Sequence, residues 1–210
     1  MLHFNQFEKS YFNHLVLKID NIKIPEGIFW IKGSNGSGKS TLLKTIAGIL
    51  SFEGDISIGT VYLKNHGVSY RKLVNFAEAE PLYPEFLTGF EMVDLFAKAK
   101  GVVSGQGEGL INEMGMTSYI HNPLGSYSSG MLKKLSLVLA FLGQPKLILL
   151  DEPLNTIDVE SLEILYRWIS EKHQNEKISF LLSSHQPLDV EKLPGLKQIN
   201  IEDKKLTLNF

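Results

Sequence analysis

Eight consecutive residues, Gly33-Ser34-Asn35-Gly36-Ser37-Gly38-Lys39-Ser40, set glycines ahead of a lysine and a hydroxyl. Glycine lets a backbone take positive φ and approach an anion without a Cβ in the way. The N–H groups of such a loop turn inward as an anion nest. A helix that follows adds its free N-terminal N–H groups and a partial positive charge at the same place. The stretch matches G-x-x-x-x-G-K-[ST] at every fixed position, the pattern of a phosphate-binding loop. In that chemistry Lys39 reaches the β- and γ-phosphates of a nucleotide and the Ser40 hydroxyl ligates Mg²⁺. A glycine turn that binds nothing is the alternative. The flanks argue against it. Ile28-Phe29-Trp30-Ile31 is an apolar run before the loop, and Leu42, Leu43, Ile46 and Ile49 follow at helical spacing.

A second group could do chemistry with the first. Leu147-Ile148-Leu149-Leu150 is a fully apolar run, and it ends in Asp151-Glu152-Pro153. Apolar on both faces, it reads as a buried strand of a parallel sheet. Open α/β sheets place functional groups at the C-terminal ends of such strands. Asp151 there would hold Mg²⁺ through water, and Glu152 would polarise the water that attacks a γ-phosphoryl group. Transfer of that kind needs positioning and charge neutralisation more than covalent chemistry. By themselves the two acids would serve equally as helix initiators after a core strand.

The elements that must hold these groups are legible in outline. The chain has 210 residues, 43% hydrophobic and 21% charged, which suits one α/β domain with a subdomain. Residues 2–24 alternate as antiparallel strands around a turn at 9–14, and Pro25-Glu26-Gly27 turns into the strand that feeds the loop. After the loop's helix, 52–55 turns the chain and short alternating stretches follow at 56–58 and 61–63. Residues 74–77 read as a buried strand. The spacing predicts a helix over 88–100 with Phe90, Val93, Phe96 and Ala97 on one side and Gly101 as its stop. Residues 102–109 read as a glycine-rich connection, and 110–114 as a short helix. Ser128 or Ser129 caps a helix carrying Leu132, Leu135, Val138, Leu139 and Leu142. A further helix over 159–172 turns Leu162, Leu165, Tyr166 and Ile169 inward. Residues 178–182 form a strand, and 198–210 a hairpin around 202–205.

Composition removes some classes. The net charge of −2 provides no bulk field for nucleic acid or acidic lipid, and the absence of cysteine excludes disulfides and thiolate metal sites. No stretch approaches the length of a membrane span, and the N-terminus has no signal-peptide core. The chain reads as cytosolic.

Lys39, Tyr127-Ser128-Ser129-Gly130-Met131, Asp151-Glu152-Pro153 and His185 occur in the order seen in ATP-binding cassette (ABC) ATPases. The chain resembles the nucleotide-binding subunit of an ABC transporter over essentially all of 1–210, one cassette with nothing appended. The resemblance implies a P-loop NTPase (RecA-like) α/β core at 1–82 and 144–210. It adds an N-terminal antiparallel β subdomain and an inserted helical subdomain at 83–143. It implies ATP and Mg²⁺ as cofactors, with nucleotide bound by Gly33, Ser34, Asn35, Gly36, Ser37, Gly38, Lys39, Ser40 and Thr41. Tyr11 takes the position of the ring that stacks on adenine; a half-buried strand-end Tyr is the alternative, and Phe12 the fallback.

The family signature is Leu-Ser-Gly-Gly-Gln; here Met131 stands for Gln, a variant form in which Ser128, Ser129 and Gly130 still meet a γ-phosphate. In the family this element faces the phosphate loop of a second subunit, so two copies sandwich two ATPs. Glu78 takes the place of a Gln that touches Mg²⁺ and senses the membrane partner, a full charge for a carbonyl oxygen; an ordinary surface Glu is the alternative. Asp158 matches the loop that crosses the dimer interface and can also cap the next helix. His185 matches the histidine that contacts the γ-phosphate, with Glu152 and Lys39 completing the catalytic set.

The resemblance implies an ATPase that powers an integral membrane permease from the cytoplasmic face, as a homodimer and without nucleic acid. The partner's docking groove is expected around 82–90. The signature variant, the acid at 78 and the lack of a C-terminal regulatory extension lean toward export. A soluble non-transport ABC ATPase, such as the iron–sulfur assembly type, is the alternative.

Overall fold

The computed structural model describes residues 1–102 and 105–209. Strands β1 (Leu2–Tyr11) and β2 (His14–Ile24) open the chain, then β3 (Ile28–Lys32), α1 (Lys39–Ile46), β4 (Glu53–Ile58), β5 (Val61–Tyr62) and α2 (Gly67–Leu73). β6 (Val74–Ala77), α3 (Gly89–Lys100), α4 (Gln106–Glu113), a 3₁₀ turn at Leu124–Ser126 and α5 (Ser129–Ala140) follow. The last elements are β7 (Leu147–Asp151), α6 (Val159–Glu176), β8 (Ser179–Ser183), β9 (Lys197–Glu202) and β10 (Lys205–Asn209).

Two sheets carry the architecture. A six-stranded sheet runs β10-β9-β3-β8-β7-β6, parallel except for β10, and a four-stranded antiparallel sheet runs β2-β1-β4-β5. The parallel strands are apolar on both faces because both faces are covered. Their period of two divides the core. Ile28, Trp30, Ile148, Leu150, Phe180 and Leu182 face a cluster shared with α3, α4, α5 and α6. Phe29, Ile31, Leu147, Leu149 and Leu181 face a second cluster with α1 and the four-stranded sheet. The side chains of Leu147, Ile148, Leu149 and Leu150 are wholly buried, each stabilising by roughly 1.5–3 kcal/mol. β7, β8 and β3 end side by side, with Asp151 opposite Ser183.

Most expected elements are present. Thr88 and Glu91 form a reciprocal capping box at the start of α3, and Gly101 ends it in the left-handed region. Its buried face differs from expectation: Met92 and Val93 are buried, whereas Phe90 is 42% exposed and stacks on His121. α6 is longer than expected and buries Trp168 as well as Leu165, Tyr166 and Ile169, with Leu162 only partly covered. The turn expected at 9–14 shrinks to Phe12 and Asn13, because β1 continues through Lys9 to Tyr11. Helix α2 is unforeseen; Tyr70 is its only buried residue, so no period marks it. The connection expected at 102–109 contains the start of α4, while Val103 and Ser104 lie outside the described residues, as does Phe210 of the terminal hairpin.

One backbone crossing limits how the four-stranded sheet can pack. Gly54 has φ +78°, and a Cβ there would lie 2.0 Å from Gln6 O and 2.6 Å from Asn5 O, where β1 shifts register against β4. Gly54→Ala is therefore expected to cost about 2–4 kcal/mol, read as a lowered urea midpoint. A midpoint equal to the parent's would show that the crossing relaxes.

Candidate active site

The phosphate loop sits between β3 and α1, where the strand's end meets the helix's start. Gly38, with φ +102°, is the residue before α1; a Cβ there would press on Val16 and Leu17 of β2 at 3.0–3.2 Å. The loop borders a cavity of about 670 Å³, lined from Gly33 to Thr41 and also by Tyr11, His14, Glu152, His185 and Lys204. Lys39 is buried, and its ammonium donates to Gly33 O at 2.8 Å and Ser34 O at 3.1 Å. Burial pulls its pKa below the usual lysine range, against the opposing pull of Glu152 and Asp151. Among the described residues, the buried Ser37 Oγ has no hydrogen-bond partner. A glycine-rich loop at a helix N-terminus, a buried lysine and an unmatched hydroxyl fit a polyphosphate.

Asp151 anchors the other side. Its Oδ1 accepts from Ser40 Oγ at 3.0 Å and from Ser183 Oγ at 2.5 Å, and the residue is 2% exposed. Glu152, the next residue, is held in the left-handed region at φ 45°. Such a conformation in a non-glycine costs of order 1–3 kcal/mol and persists only where its surroundings enforce it. Here the Glu152 N–H donates to Ser183 Oγ at 3.0 Å. The His185 N–H donates to Glu152 Oε2 at 3.2 Å, and His185 Nε2 lies 3.3 Å from Oε1.

The Mg²⁺ expectation can be tested on donor chemistry. Mg²⁺ takes oxygen ligands and is usually held by one or two carboxylates plus substrate phosphates. Ser40 Oγ and Asp151 Oδ1 are adjacent oxygen donors beside the phosphate loop. No group of three or more His, Cys, Asp or Glu exists among the described residues, so an all-protein cage is absent there. The donor set fits a cation completed by phosphate oxygens.

The Glu78 carboxylate pairs with Lys44 of α1 at 3.2 Å, and Glu78 lines a neighbouring groove, not the phosphate cavity. Ser128, Ser129 and Gly130 do not line the cavity of their own chain either. Ser128 caps α5, accepting from the Met131 N–H at 3.2 Å, and a Cβ on Gly130 would meet Thr156 O at 2.9 Å. Asp158 caps α6 through the Ser161 N–H at 2.9 Å and pairs with Lys134 at 2.8 Å. The Lys134 ammonium first, and the Ser161 bonds after it, bring its carboxyl down to about 2.

Sequence reasoning missed Lys133. It is wholly buried, and its ammonium donates to Glu78 O at 2.9 Å, Ala79 O at 3.4 Å and Asp151 O at 2.9 Å. Burial lowers its pKa to about 8, against the pull of Asp151 and Glu152. Only a lysine on an otherwise apolar helix, next to the equally charged Lys134, could have hinted at it.

Comparison with known proteins decides the family. A family model described as "ABC transporter" matches residues 17–155, and a second, described as an AAA domain, covers 121–190. The chain belongs to the ABC transporter family. It is 30% identical over 197 residues to the lantibiotic transport ATP-binding protein SrtF of Streptococcus pyogenes, covering 92% of this chain and 83% of SrtF. It is also 30% identical over 190 residues to the bacitracin transport ATP-binding protein BcrA of Enterococcus faecalis, covering 88% of this chain and 61% of BcrA. A solved ATP-binding subunit of an ABC transporter superposes with a TM-score of 0.88 at 25% identity, over 99% of this chain and 90% of that one. The dimeric ATP-binding cassette MJ0796, bound to ADP and Pi, shares the fold with a TM-score of 0.85 at 20% identity, over the whole of both chains. The fold is that of a P-loop NTPase, and the chain is an ABC-family ATPase.

The Lys133 knot generates a prediction. Lys133→Met keeps the side chain's length but strands its carbonyl acceptors in a buried place, where each unpaired group costs about 1–3 kcal/mol. Urea unfolding should show a loss of about 2–4 kcal/mol. An unchanged midpoint would mean that water satisfies the carbonyls.

Proposed function

We propose that this chain is the ATP-hydrolysing subunit of a membrane transporter and works as two copies that close on ATP and reopen after hydrolysis. One observation carries the reading: the phosphate loop, Glu152 and His185 line one cavity, with Asp151 bonded to Ser40 of that loop, while Ser128, Ser129 and Gly130 do not line it in the same chain. A second copy would bring its own Ser128–130 segment over that cavity and its Asp158 loop across the interface.

Within the site, Lys39 would leave its loop carbonyls for the β- and γ-phosphates. Ser40 and Asp151 would hold Mg²⁺, which when bound neutralises phosphate charge. Glu152 would orient and polarise the attacking water, and His185 would face the γ-phosphate from the end of β8. Tyr11 would support the base. The helices at 83–143 would act as a subdomain that carries the signature element.

A groove of about 320 Å³ supports coupling to a permease. Ile49, Glu78, Leu82, Tyr83 and Phe96 line it, and Leu82 and Phe86 are 92% and 81% exposed beside it. The Glu78–Lys44 pair runs from this groove to the helix that leaves the phosphate loop. No helix among the described residues is long and apolar enough to cross a membrane. We place the chain on the cytoplasmic face, held there by its permease. Relatives named for lantibiotic and bacitracin transport make such compounds the first cargo class to test. The signature variant and the acid at 78 favour export.

Glu152→Gln tests the reading. It should keep ATP affinity and lose hydrolysis by about a hundredfold or more. Tagged protein carrying it, captured from detergent-solubilised membranes with ATP and Mg²⁺, should bring down a multi-span membrane protein in stoichiometric amount. Near-parental turnover would remove Glu152 from its role, and a purely soluble assembly would point to a non-transport ABC ATPase.

A further inference from the structure

Strand β1 delivers Tyr11 to the rim of the nucleotide cavity, where its side chain is 44% exposed. An exposed ring at a strand end has rotamer freedom to lose when a base stacks on it. Lys9, two positions earlier on the same strand, is only 5% exposed. Lysine is rarely buried so far unless its charge is met. Here the ammonium donates to Ser51 O at 2.8 Å and stands 4.5 Å from the centre of the Tyr11 ring. The β1–β2 register shifts between Lys9 and Ser10, which re-aims the strand at this point. Lys9 borders a separate hollow of about 260 Å³ with Phe12, Ser51 and Phe52, and it does not line the nucleotide cavity. Tyr11 thus meets both the Lys9 ammonium and the nucleotide cavity.

We infer that Lys9 is a positioning residue, its ammonium seated on the rear face of the Tyr11 ring so that the front face is held ready for the base of a bound nucleotide. This rests on the reading of Tyr11 as the base platform. A cation over an aromatic face is attracted by the ring's quadrupole, and more strongly where water is excluded. Ser51 lies just beyond α1, so the same ammonium ties the base platform to the segment that follows the phosphate-loop helix.

Calorimetric titration of ATP and of base-free tripolyphosphate separates this role from a structural one. Lys9→Met should weaken ATP about three- to tenfold and leave tripolyphosphate unmoved. Lys9→Arg, which keeps a cation able to stack, should restore ATP affinity to within roughly twofold. Tyr11→Leu should weaken ATP, and adding Lys9→Met to it should change nothing further. Equal losses for ATP and tripolyphosphate in Lys9→Met would overturn the inference, as would a full additional loss on top of Tyr11→Leu. Unchanged ATP binding in Lys9→Met, with Tyr11→Leu impaired, would overturn it while sparing the Tyr11 reading. Unchanged binding in Tyr11→Leu itself would remove the platform reading and the inference together.

Discussion

Asp151 Oδ1 accepts hydrogen bonds from Ser40 Oγ and Ser183 Oγ, and so joins the first turn of α1 to the ends of β7 and β8 at one buried point. An ionised carboxylate at 2% exposure is costly unless it is bonded and its charge is matched. The hydroxyls satisfy the lone pairs of its Oδ1. Two buried lysines answer its charge: Lys39 from the phosphate loop and Lys133 from α5, each drawn by Asp151 and Glu152. Both ammonium groups donate to backbone carbonyls, and among the described residues the Asp151 carboxylate accepts from the Ser40 and Ser183 hydroxyls.

Ser183 has a second duty that explains the shape of Glu152. The same Oγ that donates to Asp151 accepts the Glu152 N–H, in the turn where Glu152 adopts φ 45°. One hydroxyl thus fixes two successive acids in different postures: Asp151 inside the sheet, Glu152 turned out to the cavity. His185, just beyond the same strand, closes the arrangement with both its backbone N–H and its ring. Local strain at Glu152 is maintained by β8, whose side chains are wholly enclosed in the sheet, and not by the loop itself.

How much of this could be read beforehand depended on how local the cause was. The phosphate loop, the β7 run into Asp151-Glu152, the stop at Gly101 and the cap at Ser128 all depend on near neighbours in sequence. They fall where the residues placed them. The failures are non-local. Lys9 looked like part of a turn because Glu8-Lys9-Ser10 is polar, yet its acceptor, Ser51, lies across the sheet. Lys133 was invisible because its acceptors come from three residues on two distant strand ends. The Glu78–Lys44 pair was not legible either, because the two residues lie on separate elements. Helix α2 had a single buried anchor, Tyr70, and periodicity cannot register one residue.

These non-local ties share a direction. Lys133 binds the start of the signature-bearing helix to the ends of β6 and β7, and Glu78 joins the end of β6 to α1. Gly130 abuts Thr156 O in the segment after Glu152, close enough to exclude a larger residue. A shift at Asp151 is therefore opposed at once by α1, by α5 and by the segment leading to α6. Packed interiors respond to such loads by switching between arrangements, because close packing does not deform gradually. The Ser128–Gly130 corner opens α5 and does not line the cavity of its own chain. If two copies close on ATP as proposed, a shift at the phosphate end that moved this corner would act on the neighbouring copy, because the corner does not line the cavity of its own chain.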